Sequence, residues 1–165
     1  PHRKSDFSIT KRKAVIMLDF KKILVPYDGS SHAKKALNQA ISLAQCSDGA
    51  ELYVATILNS TIPADDDPDQ VDMAEVEKLI PENIPHKVLL EMGEPVPMLL
   101  YLAGETGADL IITGSRGRGA LKSLFMGSVS SGILKNAKCP IENTDTGLPE
   151  NMSDFFRDSA VSVFL

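Results

Sequence analysis

The sequence predicts an α/β fold built on a parallel sheet. Short apolar runs alternate with helical stretches along most of the chain. Those runs are almost continuously apolar, as strands covered on both faces are. Two of them end directly in turn chemistry: Asp28-Gly29-Ser30 after the first, and "GSRGRGALKSLFMGS" after the fourth. Strands alternating with helices imply βαβ units with right-handed crossovers.

The first strand is "KILVPY" (22–27), closed by "DGSS". Ser30 or Ser31 can cap the helix that follows. In that helix Ala33, Ala36, Leu37, Ala40, Ile41 and Ala44 recur at helical spacing, a narrow stripe able to lie close against a sheet. "ELYVATIL" (51–58) is the second strand. An acidic stretch, "ADDDPDQVDMAEVEKLIPE", reads as a solvated loop and helix face, with a helix from about Gln70 to Leu79; a metal site is the sharper alternative. "HKVLLEMG" (86–93) is the third strand, and Val96, Leu99, Leu100 and Ala103 mark one face of the next helix. "ADLIIT" (108–113) is the fourth strand. Val129, Ile133 and Ala137 mark a last helix beginning near Ser128.

Size and composition limit what this fold can do. The chain has 165 residues, 43% of them hydrophobic, enough for one ordinary domain with its own core. No apolar run reaches the roughly 18 residues of a membrane span, so no membrane is expected. A net charge of −5 argues against a nucleic-acid partner. The two cysteines, Cys46 and Cys139, have no metal-ligand spacing and fit a reducing, cytoplasmic setting. His2, His32 and His86 lie far apart in sequence and read as surface residues. No Ser-His-Asp or Cys-His order and no clear acid–base pair emerges.

In a parallel sheet, ligands sit beyond the carboxyl ends of the strands, where strand order reverses. Gly114, Gly117, Gly127 and Ser128 fit the pattern G-x2-G-x9-G-S between a buried strand and a helix start. Glycines there let backbone amides approach phosphate oxygens, and the helix adds free N–H groups and the positive end of its dipole. Ser128 and Ser130 offer hydroxyls at the same end. The bland alternative is that the glycines only make turns. The spacing is neither a P-loop nor a dinucleotide fingerprint. Arg116, Arg118 and Lys122 are candidate charge contacts to phosphate, or part of a solvated loop. Asp28 can accept bonds from ribose hydroxyls or a base, reach a metal, or simply form a turn and cap.

Together "KILVPYDGS", "GADLIITGSRGRG" and "GSVSSGILKNAKCPI" resemble the ATP-binding branch of the universal stress protein family. The resemblance implies an open five-stranded parallel sheet of order 3-2-1-4-5, with helices on both faces, a Rossmann-like adenine nucleotide-binding fold. Carried onto this chain, it implies that Pro26, Tyr27 and Asp28 line the nucleoside end and that Ile57 meets adenine. Thr113, Gly114, Gly117, Gly127, Ser128, Val129 and Ser130 would surround ribose and phosphates. It implies ATP with Mg2+ or Mn2+, no firmly assigned catalytic base, and a nucleotide-dependent switch or sensor. A slow ATP hydrolase or phosphotransferase, or a binder of AMP or a cyclic nucleotide, is the alternative. The family-like domain spans 18–141, after an extension of residues 1–17.

Family members usually end in an apolar fifth strand. Here Ile141 is followed by "ENTDTGLPEN", which does not read as a buried strand, so the edge of the fourth strand is expected to stand open. The tail (142–165) ends in "FFRDSAVSVFL", and Phe155 to Leu165 is expected to pack against such an edge or against the partner, within a homodimer.

Overall fold

The computed structural model describes residues 20–58, 71–117 and 126–144. They form nine elements: β1 (Lys22–Pro26), α1 (Ser31–Cys46), β2 (Glu51–Leu58), α2 (Met73–Leu79), β3 (His86–Met92), α3 (Pro95–Thr106), β4 (Leu110–Thr113), α4 (Ser128–Asn136) and β5 (Ile141–Asn143). All five strands pair in parallel, in the order β3-β2-β1-β4-β5.

The apolar runs are continuous because the sheet is covered on both sides, and the period of two divides them. Ile23, Val25, Leu52, Val54, Leu110 and Ile112 face one core, which they share with Ala33, Ala36, Leu37 and Ala40 of α1 and Val76 of α2. Leu24, Tyr53, Ala55 and Ile111 face the other, with Leu99 and Leu102 of α3 and Ile133 of α4. The alanine stripe of α1 is buried along its length, as its spacing predicts. Ser30 caps α1, its Oγ accepting from the Ala33 amide at 3.1 Å. Asp72 caps α2 in the same way, accepting from Ala74 at 2.9 Å. α3 ends at Gly107, whose φ of 66° is the left-handed turn that glycine takes at least cost.

The fifth strand corrects one expectation. Ile141, Glu142 and Asn143 pair with Ile111, Ile112 and Thr113, and the Thr144 amide continues the ladder to the Thr113 carbonyl at 3.1 Å. β4 is therefore paired on both sides. An edge strand needs hydrogen bonds to one neighbour only, and Ile141 supplies the apolar contact to the α3–α4 side. The polar residues after it do not prevent so short a strand. Partial burial pushes the Glu142 carboxyl upward, the residual cost of placing an acid there. The extension 1–17 and the tail from Phe155 to Leu165 lie outside the described residues.

At the amino ends of the strands Asp109 ties β1 to β4. Its two carboxylate oxygens accept the backbone N–H groups of Lys21 and Lys22, at 2.8 and 3.0 Å. Asp109→Ala leaves two amides to water and unties the start of a central strand pair. By analogy with a lost helix cap it should cost about 0.5–2 kcal/mol. That is a fall of roughly 1–8 °C in melting temperature for a domain of this size. Thermal denaturation followed by circular dichroism checks it, and an unchanged midpoint would show the tie to be decorative.

Candidate functional site

The carboxyl ends of β1 and β4 are neighbours, and their loops meet over a cavity of about 700 Å³. β1 stops at Pro26, yet the sheet continues for one residue. The Tyr27 amide donates to the Ala55 carbonyl and its carbonyl accepts from Thr56 Oγ1, both at 2.8 Å. This fixes where the chain turns. Asp28 Oδ1 then accepts from the Ser30 amide at 3.0 Å, and Gly29 takes the left-handed φ of 80° between them. Asp-Gly-Ser is thus a turn and helix cap, as the bland reading has it. The turn engages one carboxylate oxygen; the other, Oδ2, faces Gly117 across the crevice.

Among the described residues, the glycines after β4 do not need the left-handed backbone that favours glycine. Gly114, Gly117 and Gly127 all lack a positive φ, so what they supply is room. A Cβ on Gly114 would lie 2.7–2.9 Å from the backbone and Cβ of His32, in the first turn of α1. One on Gly117 would lie 2.8 Å from Asp28 Oδ2. One on Gly127 would lie 3.3–3.5 Å from the Ser115 carbonyl oxygen, Arg116 Cα and Ser130 Oγ. All three border the cavity; the first is also a packing site between α1 and the end of β4.

Gly127 is the N-cap of α4, and no side chain caps that helix. Its own amide donates to the Ser115 carbonyl at 2.7 Å. Ser130, expected as a hydroxyl donor toward phosphate, instead donates its hydroxyl to that same carbonyl, at 3.1 Å. Its amide and those of Ser128 and Val129 form the first turn of α4. A helix start without a side-chain cap, at the wall of a cavity, offers donors and a positive dipole end to an anion.

The lining is divided between two chemistries. On the β2 and α3 side it is apolar: Ala55, Ile57, Pro95 and Leu99. On the β4 and α4 side it is polar backbone and small residues: Thr113, Gly114, Gly117, Gly127, Ser128, Val129 and Ser130, with the half-buried Arg116. Pro26, Tyr27 and Asp28 lie between, at the end of β1. Arg118 and Lys122 fall outside the described residues. Sequence reasoning missed Ala33, Ala55, Pro95 and Leu99 as lining residues. Two of them carried a signal: Ala55 shares the face of β2 with Ile57, and Leu99 stands in the apolar stripe of α3 beyond the end of β3.

The histidines divide as well. His86 Nδ1 donates to the Ile84 carbonyl at 2.8 Å, at the start of the edge strand β3. His32 is half-buried rather than a plain surface residue, and its Nδ1 lies 3.3 Å from Ser115 Oγ. Burial pushes the Cys139 thiol upward, away from a reactive thiolate. Among the described residues no three His, Cys, Asp or Glu side chains are grouped to hold a metal ion, and no helix is long and apolar enough to cross a membrane.

Comparison with known proteins bears on the whole arrangement. Residues 19–141 match the model of the universal stress protein family. A universal stress protein of Thermus aquaticus is 35% identical over 133 residues, covering 74% of this chain and 96% of the relative. A universal stress protein solved in complex with cAMP superposes with a TM-score of 0.58 at 22% identity, over 76% of this chain and 96% of that one. One from Archaeoglobus fulgidus, solved in complex with dAMP, does so with a TM-score of 0.54 at 21% identity, over 76% and 98%. The two structural likenesses speak to the fold; the family match and the Thermus relative speak to descent. The chain belongs to the universal stress protein family.

Proposed function

We propose that this protein binds an adenine nucleotide, ATP with Mg2+ or Mn2+, in the cavity over β1 and β4, and acts as a nucleotide-dependent switch or sensor. One observation carries the reading: a single cavity has an apolar end and, opposite it, glycine-spaced backbone leading into a helix start with no side-chain cap. A planar base suits the first and an anionic phosphate the second. Adenine would lie against Ile57 and Ala55, the ribose beside Asp28, and the phosphates over Gly117, Gly127 and the first turn of α4. Arg116 supplies positive charge at that end. The cAMP and dAMP of the two solved relatives support a nucleoside with at least one phosphate; the further phosphates of ATP are this reading's own extension.

A switch is favoured over a fast hydrolase by the acid inventory. Asp28 is the one carboxylate among the described lining residues, and one of its oxygens is engaged by Ser30. Efficient hydrolysis needs a residue that orients water against the terminal phosphate.

The test is thermal denaturation of nucleotide-stripped protein with Mg-ATP, AMP, cAMP and Mg-GTP. A ligand at a hundred times its dissociation constant adds about 2.7 kcal/mol to stability. For this size of domain that raises the melting temperature by roughly 5–11 °C. Mg-ATP should produce such a rise and Mg-GTP a smaller one. No shift with any adenine nucleotide refutes the reading.

A further inference from the structure

We propose that His32 is a positioning residue for the anion-binding end of this site, acting through Ser115 on the start of α4. The inference rests on the nucleotide reading for its functional consequence but not for its structural part.

Three contacts form a chain. Gly114, by lacking a Cβ, lets the backbone of His32 seat against the end of β4. His32 Nδ1 then meets Ser115 Oγ at 3.3 Å. The carbonyl of Ser115 in turn accepts twice from α4, from the Gly127 amide at 2.7 Å and from Ser130 Oγ at 3.1 Å. Ser115 and Ser130 are nine-tenths or more buried, so these groups have little water to fall back on. His32 itself is not among the residues that line the cavity.

The physical consequence follows from tethering both ends of one residue. A serine whose side chain is held cannot rotate its backbone without breaking that bond. The carbonyl next to it therefore stays aimed at α4. That carbonyl sets where Gly127 sits, and Gly127 sets where the first N–H groups of α4 point. The imidazole, four residues after Asp28, thus joins the start of α1 to the glycine loop on the other wall of the crevice. Anion donors must be held close to the productive geometry by supporting residues of this kind.

The experiment compares wild type, His32→Ala and His32→Asn, with Ser115→Ala should His32→Ala fail to fold. Asparagine can place a polar atom near the position of Nδ1, so it restores the bond without the ring. In ligand-free protein, amide hydrogen exchange at Gly127 should quicken about fivefold in His32→Ala, the equivalent of one ordinary hydrogen bond. His32→Asn should return it to near the wild-type rate, and the Tyr27 amide should not respond in either variant. In titration calorimetry the affinity for Mg-ATP should fall by a similar factor in His32→Ala while that for adenosine stays unchanged. Unaltered exchange at Gly127 in His32→Ala, or exchange in His32→Asn as fast as in His32→Ala, overturns the inference; so does a wild-type Mg-ATP affinity in His32→Ala. If exchange behaves as expected but even the wild type takes up no Mg-ATP, the nucleotide reading fails and the tether to α4 stands.

Discussion

Replacing Gly127 with aspartate should leave a folded protein that no longer takes up adenine nucleotide. Gly127 has φ −62° and ψ 160°, an extended conformation open to any residue, so the backbone tolerates the change. The new Cβ would sit 3.3 Å from the Ser115 carbonyl oxygen, tight but within reach of a small adjustment. Aspartate is moreover among the preferred N-caps. Its carboxylate would accept the amides of Val129 or Ser130, adding about 0.3 kcal/mol to the helix start, since glycine is already a tolerable cap. The same bond takes the donors that phosphate would use and puts a negative charge in its place. Two unit charges about 4 Å apart near a protein surface repel by about 4 kcal/mol. Binding of Mg-ATP should therefore weaken at least about a hundredfold, while the ligand-free melting temperature holds or rises. Gly117→Asp should lose binding too, since its side chain would start 2.8 Å from Asp28 Oδ2 and meet like charge. Titration calorimetry on the folded variants decides it: wild-type affinity in Gly127→Asp would show that the phosphates lie elsewhere.

Gly114→Ala should act the other way, on the fold first. Here the added methyl would meet main-chain atoms of His32 at 2.7 and 2.9 Å, which cannot swing aside as a side chain can. Either α1 shifts off the sheet or β4 bends. Overpacking of this kind costs about 1–3 kcal/mol. The entropy gained by replacing glycine in the unfolded chain returns about 0.4–1 kcal/mol, so the clash wins. The middle of these ranges leaves a net cost of about 1.3 kcal/mol, and the melting temperature should fall by roughly 3–5 °C. Nucleotide affinity should fall with it, because the displaced turn of α1 carries His32. A Gly114→Ala protein as stable as wild type would mean that α1 and β4 are less tightly seated than the structure has them. The pair of variants separates two uses of glycine that a single spacing pattern merges.

Much of this arrangement was legible without coordinates. β2 runs from Glu51 to Leu58, the span its apolar run marks, and α4 starts at Ser128. The alanine stripe of α1 and its Ser30 cap are local facts, set by spacing and by one hydroxyl. The order of the strands came with the family resemblance and not from periodicity, since nothing within a βαβ unit says which neighbour a strand will choose. The fifth strand was misread because edge strands carry little signal: Ile141–Asn143 needs one apolar residue and one partner.

The sequence by itself determined the α/β alternation, the capped turn after β1 and the glycine spacing after β4, because each depends on residues close together in the chain. Only the tertiary structure decided what those glycines face, that Ser130 spends its hydroxyl on Ser115, and that His32 meets Ser115. Ser115 and His32 stand 83 positions apart and meet only because β4 pairs beside β1 and α1 returns over both. A hydrogen bond is decided within a few tenths of an ångström, and that distance is set by packing across the whole sheet.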